Sequence, residues 1–120
     1  MTSVLNVDTI ADKAGTGPVA LTKQEALKCQ FRTSGTYTGF QAGALNASSL
    51  TDDGTGDITV SFTNSFSTNT YSVATSSVSS DGRIITFNTI ATANCSFAAN
   101  TDAGAAIDAA MSVHVAGDLA

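Results

Sequence analysis

Ile58-Thr59-Val60-Ser61-Phe62 alternates apolar and polar side chains without interruption. Successive side chains of a β-strand point to opposite faces, so this run sets Ile58, Val60 and Phe62 on a buried face and Thr59 and Ser61 on the other. The residues just before it, Asp52-Asp53-Gly54-Thr55-Gly56-Asp57, read as a turn, because two glycines supply permissive backbone angles and the aspartates favour turn geometry. The same period of two recurs downstream in Tyr71-Ser72-Val73, in Cys95-Ser96-Phe97 and in Met111-Ser112-Val113-His114-Val115, and less strictly in Arg83-Ile84-Ile85-Thr86-Phe87. Ser79-Ser80-Asp81-Gly82 contains an Asp-Gly pair of the kind found in tight hairpins, which predicts that residues 71–76 pair with residues 83–88. Residues 100–106 read as a loop leading into the last strand. The fold class expected is mainly β: an antiparallel sandwich or barrel-like domain over residues 33–120.

The first third of the chain differs. Val4, Leu5, Val7 and Ile10 stand among polar neighbours, and Gly15, Gly17 and Pro18 then break the pattern, so residues 1–21 are expected to form an N-terminal arm or short strand. Thr22 and Glu25 have capping-box spacing, and Leu27 and Phe31 would share a helical face, which predicts one short α-helix over residues 22–32. A helix of two to three turns does not persist alone in water and must pack on something.

With 120 residues the chain supports one hydrophobic core. Its hydrophobic fraction is 42%, but aromatics make up 7% and there is no Trp. Each large side chain contributes roughly 1.5–3 kcal/mol when buried, so the scarcity of such residues favours stability drawn from neighbouring subunits. The net charge is -5, and the five basic residues (Lys13, Lys23, Lys28, Arg32 and Arg83) are mostly confined to the first third of the chain, so nothing here would hold a polyanion. Nucleic acid is therefore not an expected partner. No apolar run approaches the roughly 18 residues of a membrane-spanning helix, so no membrane partner is expected. The opening residues lack the basic and apolar regions of a secretory signal, and synthesis in the cytoplasm is expected. In that compartment Cys29 and Cys95 read as small buried hydrophobes, with a disulfide as the less favoured alternative.

Residue types that carry chemistry are sparse. His114 is the single histidine, and strand alternation puts it on the face opposite Met111, Val113 and Val115, with no nucleophile motif beside it and no G-x-S-x-G elbow anywhere. Asp52, Asp53 and Asp57 have the oxygen density of a calcium loop but not its spacing, and turn chemistry accounts for them. Cys29, Cys95 and His114 lack zinc spacing. The G-x-G pairs at positions 15 and 17 and at 54 and 56 do not join a strand to a helix as a phosphate loop requires. No catalytic, cofactor-binding or metal-binding residue is expected, no cofactor is expected, and an enzyme is not expected.

Three stretches carry a family resemblance. Val7-Asp8-Thr9-Ile10, with Lys13-Ala14-Gly15-Thr16-Gly17-Pro18 shortly after it, resembles the N-terminal segment of tail-fibre-like virion proteins of marine and cyanobacterial bacteriophages. Asn46-Ala47-Ser48-Ser49-Leu50-Thr51-Asp52-Asp53-Gly54-Thr55-Gly56-Asp57, continuing into Ile58-Thr59-Val60-Ser61-Phe62, is similar to an element of the same group, and Val113-His114-Val115-Ala116-Gly117-Asp118 looks like its terminal strand. Where those proteins carry an Ala-Trp-rich segment, this chain has Leu27-Lys28-Cys29-Gln30-Phe31-Arg32, with Phe31 as the local aromatic. The resemblance implies a β-rich virion component on the particle surface, usually trimeric, and supplies no catalytic or ligand-binding residue.

Three roles are weighed. The first is a short tail-fibre-like or receptor-binding component, partnered by a tail adaptor and by a host surface glycan. The second is a capsid decoration or cement protein seated on the major capsid protein. The third, less favoured, is a carbohydrate-binding lectin module. Tyr37, Phe40 and Tyr71 are too dispersed in sequence to define a sugar-stacking platform. Self-association as a homotrimer is expected, with the N-terminal arm and the segment 22–31 at or near the subunit contacts.

Overall fold

The computed structural model describes residues 25–41, 43–78 and 82–118. Their strands are β1 (Glu25–Arg32), β2 (Ala47–Gly54), β3 (Asp57–Phe62), β4 (Ser72–Ser77), β5 (Ile84–Ile90), β6 (Asn94–Asn100) and β7 (Met111–Asp118). They form a three-stranded sheet in the order β1-β7-β4 and a four-stranded sheet in the order β2-β3-β6-β5. Every neighbouring pair is antiparallel. The two sheets pack face to face as a β-sandwich.

The alternation read from the sequence decides which faces meet. Ile58, Val60 and Phe62 on β3 and Cys95, Phe97 and Ala99 on β6 are buried on one inner face; Met111, Val113 and Val115 on β7 are buried on the other. The residues between them, mostly polar, point outward, and β6 alternates strictly between half-buried and buried positions. The aromatic residues are few but concentrated. All six phenylalanines and Tyr71 form one connected network, running from Phe40 through Phe31 to Phe97, Phe87, Tyr71, Phe66 and Phe62, with centroids 4.5–6.2 Å apart along the path. Among the described residues no buried side-chain nitrogen or oxygen lacks a hydrogen-bond partner. Thr33, the buried polar residue of the core, accepts from Met111 N at 3.2 Å.

The expected helix is not formed where the structure describes it. Residues 22–24 and the N-terminal arm at 1–21 lie outside the described residues, and residues 25–32 are strand β1. Spacing of four places Leu27 and Phe31 on one face of a helix, but two residues four apart also share a face of a strand, so that pair does not discriminate. Cys29, Phe31 and Thr33 are all buried and alternate with Gln30 and Arg32, and β7 supplies a full antiparallel ladder from Glu25 opposite Asp118 to Arg32 opposite Ser112. That long-range pairing overrides the local capping signal. The register shift between Leu27 and Cys29 makes Lys28 an extra residue, and Leu27 turns outward while Phe31 stays in the core.

A second expectation is also corrected. Residues 71–76 and 83–88 do not form a hairpin: β4 pairs with β7 and β5 pairs with β6, so the chain changes sheets between them. The two strands lie next to each other across the sandwich flank, where Thr75 Oγ1 donates to Ile85 O at 3.3 Å. By contrast, the 52–57 segment does close a hairpin between β2 and β3, with Thr55 and Gly56 as its turn residues and Asp52 and Asp53 still within β2.

Candidate functional site

His114 projects outward from β7, in register with Gln30 on β1 and Ala74 on β4. Neither ladder neighbour is an acid, a base or a nucleophile. Asp52 Oδ1 accepts from Gly54 N at 3.1 Å, and Asp53 Oδ2 accepts from Thr59 Oγ1 at 2.6 Å. These carboxylates serve the hairpin, and among the described residues no group of three or more His, Cys, Asp and Glu side chains is placed to hold a metal ion.

Tyr37 and Tyr71 are core residues, and Phe40 packs against the core, so they do not make an exposed platform for stacking on a sugar. Tyr37 Oη accepts from Ala109 N at 3.0 Å, and Tyr71 Oη donates to Ala91 O at 2.9 Å. In this way the two phenols fasten loops to the sandwich.

Cys29 and Cys95 are free thiols, each wholly buried, on strands of opposite sheets. Burial pushes the Cys29 thiol up to about 11 and the Cys95 thiol up to about 12, the second also raised by the proximity of Cys29. The unfolded chain releases these protons near pH 9.0, while the folded chain retains them. The thiols' contribution to stability is therefore fully present below pH 9.0 and is lost as the pH rises through about 11 and about 12. Thermal unfolding followed by circular dichroism at pH 8 and at pH 10.5 is expected to show a clearly lower melting temperature at the higher pH. An unchanged value would contradict the burial of the two thiols.

What the structure assembles, and sequence reading did not find, is a shallow apolar groove of about 290 Å³ lined by Leu27, Lys28, Leu45, Asn46 and Asn64. Asn46 builds it. The residue adopts a positive φ of 55°, which Asn tolerates better than most side chains, and its carboxamide then bridges to a distant loop. Asn46 Nδ2 donates to Asn64 O at 3.0 Å, and Asn64 N donates to Asn46 Oδ1 at 2.7 Å. Lys28 closes the side of the groove, with Nζ donating to Ser65 O at 3.3 Å and lying 4.7 Å from the Phe66 ring centroid. Leu27 and Leu45 remain 43% and 49% exposed, an unusual state for two leucines on one groove. No protein-family model, curated protein sequence or solved structure matches this chain.

The groove lacks the parts of a catalytic centre. It offers apolar area flanked by two carboxamides and one ammonium, with no paired carboxylates, no histidine and no thiol in its lining. Such a surface suits contact with another polypeptide.

Proposed function

We propose that this chain is a bacteriophage virion structural protein, homotrimeric and displayed on the particle surface as a short tail-fibre-like or receptor-binding component, and that it is not an enzyme. The observation that carries the reading is the ordered resemblance of residues 46–62 and 113–118 to elements of tail-fibre-like virion proteins. In the fold these segments are structurally central: the first is Asn46 with the β2 and β3 hairpin, and the second lies in β7, the middle strand of its sheet. The partners on this reading are further copies of the chain, a tail adaptor and a host surface glycan.

A second reading, a capsid decoration protein on the major capsid protein, is favoured by size. Strands of six to eight residues are about 20–27 Å long, which is short for a fibre reaching away from a particle. Immunogold microscopy of intact particles, with antibody raised against the folded protein, tests both. Label confined to the tail is expected. Label spread over the shell would favour the decoration role, and particles without label would overturn display on the virion surface.

A further inference from the structure

We propose that copies of this chain meet flank to flank in a closed ring, the exposed Ile90 of one copy seated in the groove between Leu27 and Leu45 of the next. This rests on the homotrimer proposed above and specifies the surfaces that build it.

The five exposed large hydrophobic residues among those described fall in two places. Leu27 and Leu45 lie on the flank where β1 stacks beside β2; Val78, Ile84 and Ile90 lie on the opposite flank, at β4 and β5. A two-fold contact needs one self-complementary patch, whereas a ring needs two different patches on opposite sides. The latter is the observed distribution.

The sheet edges are treated just as unequally. On the first flank β1 is covered by the segment that bridges Gln30 to Leu45 and Thr33 to Phe40, while β2 carries two register shifts and the charges of Asp52 and Asp53. These are devices that discourage strand pairing. On the other flank β4 (Ser72–Ser77) and β5 (Ile84–Ile90) contain no charged residue and no proline, so a second copy of an acidic protein can approach there without like-charge repulsion.

Position along the strands then matches the knob to the groove. Ile90, Cys95, Val60 and Leu50 lie on one row across the four-stranded sheet, towards the end bearing residues 91–93. The groove is at that same end, since Phe66 N donates to Thr92 O at 2.8 Å and Lys28 reaches Ser65. A neighbour rotated about an axis parallel to the strands therefore brings apolar knob to apolar groove.

The test uses the full chain carrying Leu45→Cys, Ile90→Cys or both, treated with a bis-maleimide too short to span the roughly 14 Å width of a four-stranded sheet. Both positions are about half exposed, so the substitutions leave the core intact, and the native Cys29 and Cys95 are wholly buried. The double variant is expected to give a covalent three-chain product, and each single variant none. Cross-linking of Ile90→Cys to itself would overturn the ring in favour of a two-fold contact, and a ladder running beyond three chains would overturn closure. Light scattering of the unmodified protein separates the two levels of the proposal. A three-chain mass without cross-linking overturns the assigned flanks while the trimer stands; a mass of 12.1 kDa overturns both. Should a cysteine variant fail to fold, Leu45→Ser and Ile90→Ser are each expected to lower the mass to that of one chain, and an unchanged mass in both would overturn the contact.

Discussion

Phe97→Ala is expected to cost about 4 kcal/mol of folding stability. Phe97 is wholly buried on β6, where its ladder partners are Ile58 on β3 and Phe87 on β5. Its ring stacks on Phe87 at 5.3 Å and meets the edge of Phe31, from the other sheet, at 5.8 Å. It is thus the point at which the two halves of the aromatic network join across the sandwich. Truncation removes apolar burial and leaves a cavity between elements held by ladders on both sides, which limits collapse. Since domains of this size are stable by only about 5–15 kcal/mol, urea unfolding should show a midpoint shifted far towards zero denaturant. A loss below about 1 kcal/mol would contradict the place of Phe97 at the centre of the core.

Gly56→Ala comes next, with an expected cost of about 2–5 kcal/mol from strained backbone and overpacking together. Gly56 has a φ of 80°, and a Cβ there would lie 2.5 Å from Ala99 O and 3.0 Å from Ile107 N. Both are backbone atoms, so no side chain can swing away. The same residue ties three parts of the chain together: its N–H donates to Asp108 Oδ1 at 2.7 Å, and its carbonyl accepts from Ala99 N at 2.8 Å. Gly54 is the internal control. It also has a positive φ, 139°, but nothing lies within 4 Å of its Cβ position. Gly54→Ala should therefore carry the conformational cost without the collision. Equal melting temperatures for the two variants would show that the close approach of the hairpin turn to β6 is not present.

These two residues illustrate what the sequence discloses. The strand containing Phe97 is visible because Cys95-Ser96-Phe97 alternates, and the turn containing Gly56 is visible because glycines and aspartates cluster there. The outward direction of His114 comes from the same period of two. Where two local rules competed, the pattern misled. A capping-box spacing and an apolar pair four residues apart suggested a helix over 22–32, but the pairing partner of β1 is β7, at least 80 residues downstream at every paired position, and no local signal reports it. The Asp-Gly pair before Arg83 likewise predicted a hairpin, yet β4 takes β7 as its partner, and the chain crosses to the other sheet instead. The groove was hidden for a related reason. Its walls come from positions 27, 45 and 64, and its existence depends on Asn46 adopting a left-handed conformation; an Asn after an apolar residue in a loop is too common a pattern to mark it. The scarcity of aromatics, finally, points in the sequence to stability drawn from neighbouring subunits. The structure answers by placing nearly all of them in one network.

The claim that this sandwich is a virion component is tested most directly by counting its copies in purified particles, by quantitative mass spectrometry against an isotopically labelled standard. The tail-fibre-like role predicts a few to a few tens of copies per particle, in multiples of three. Hundreds of copies would contradict that placement and assign the protein to the shell, and none would contradict the virion role altogether.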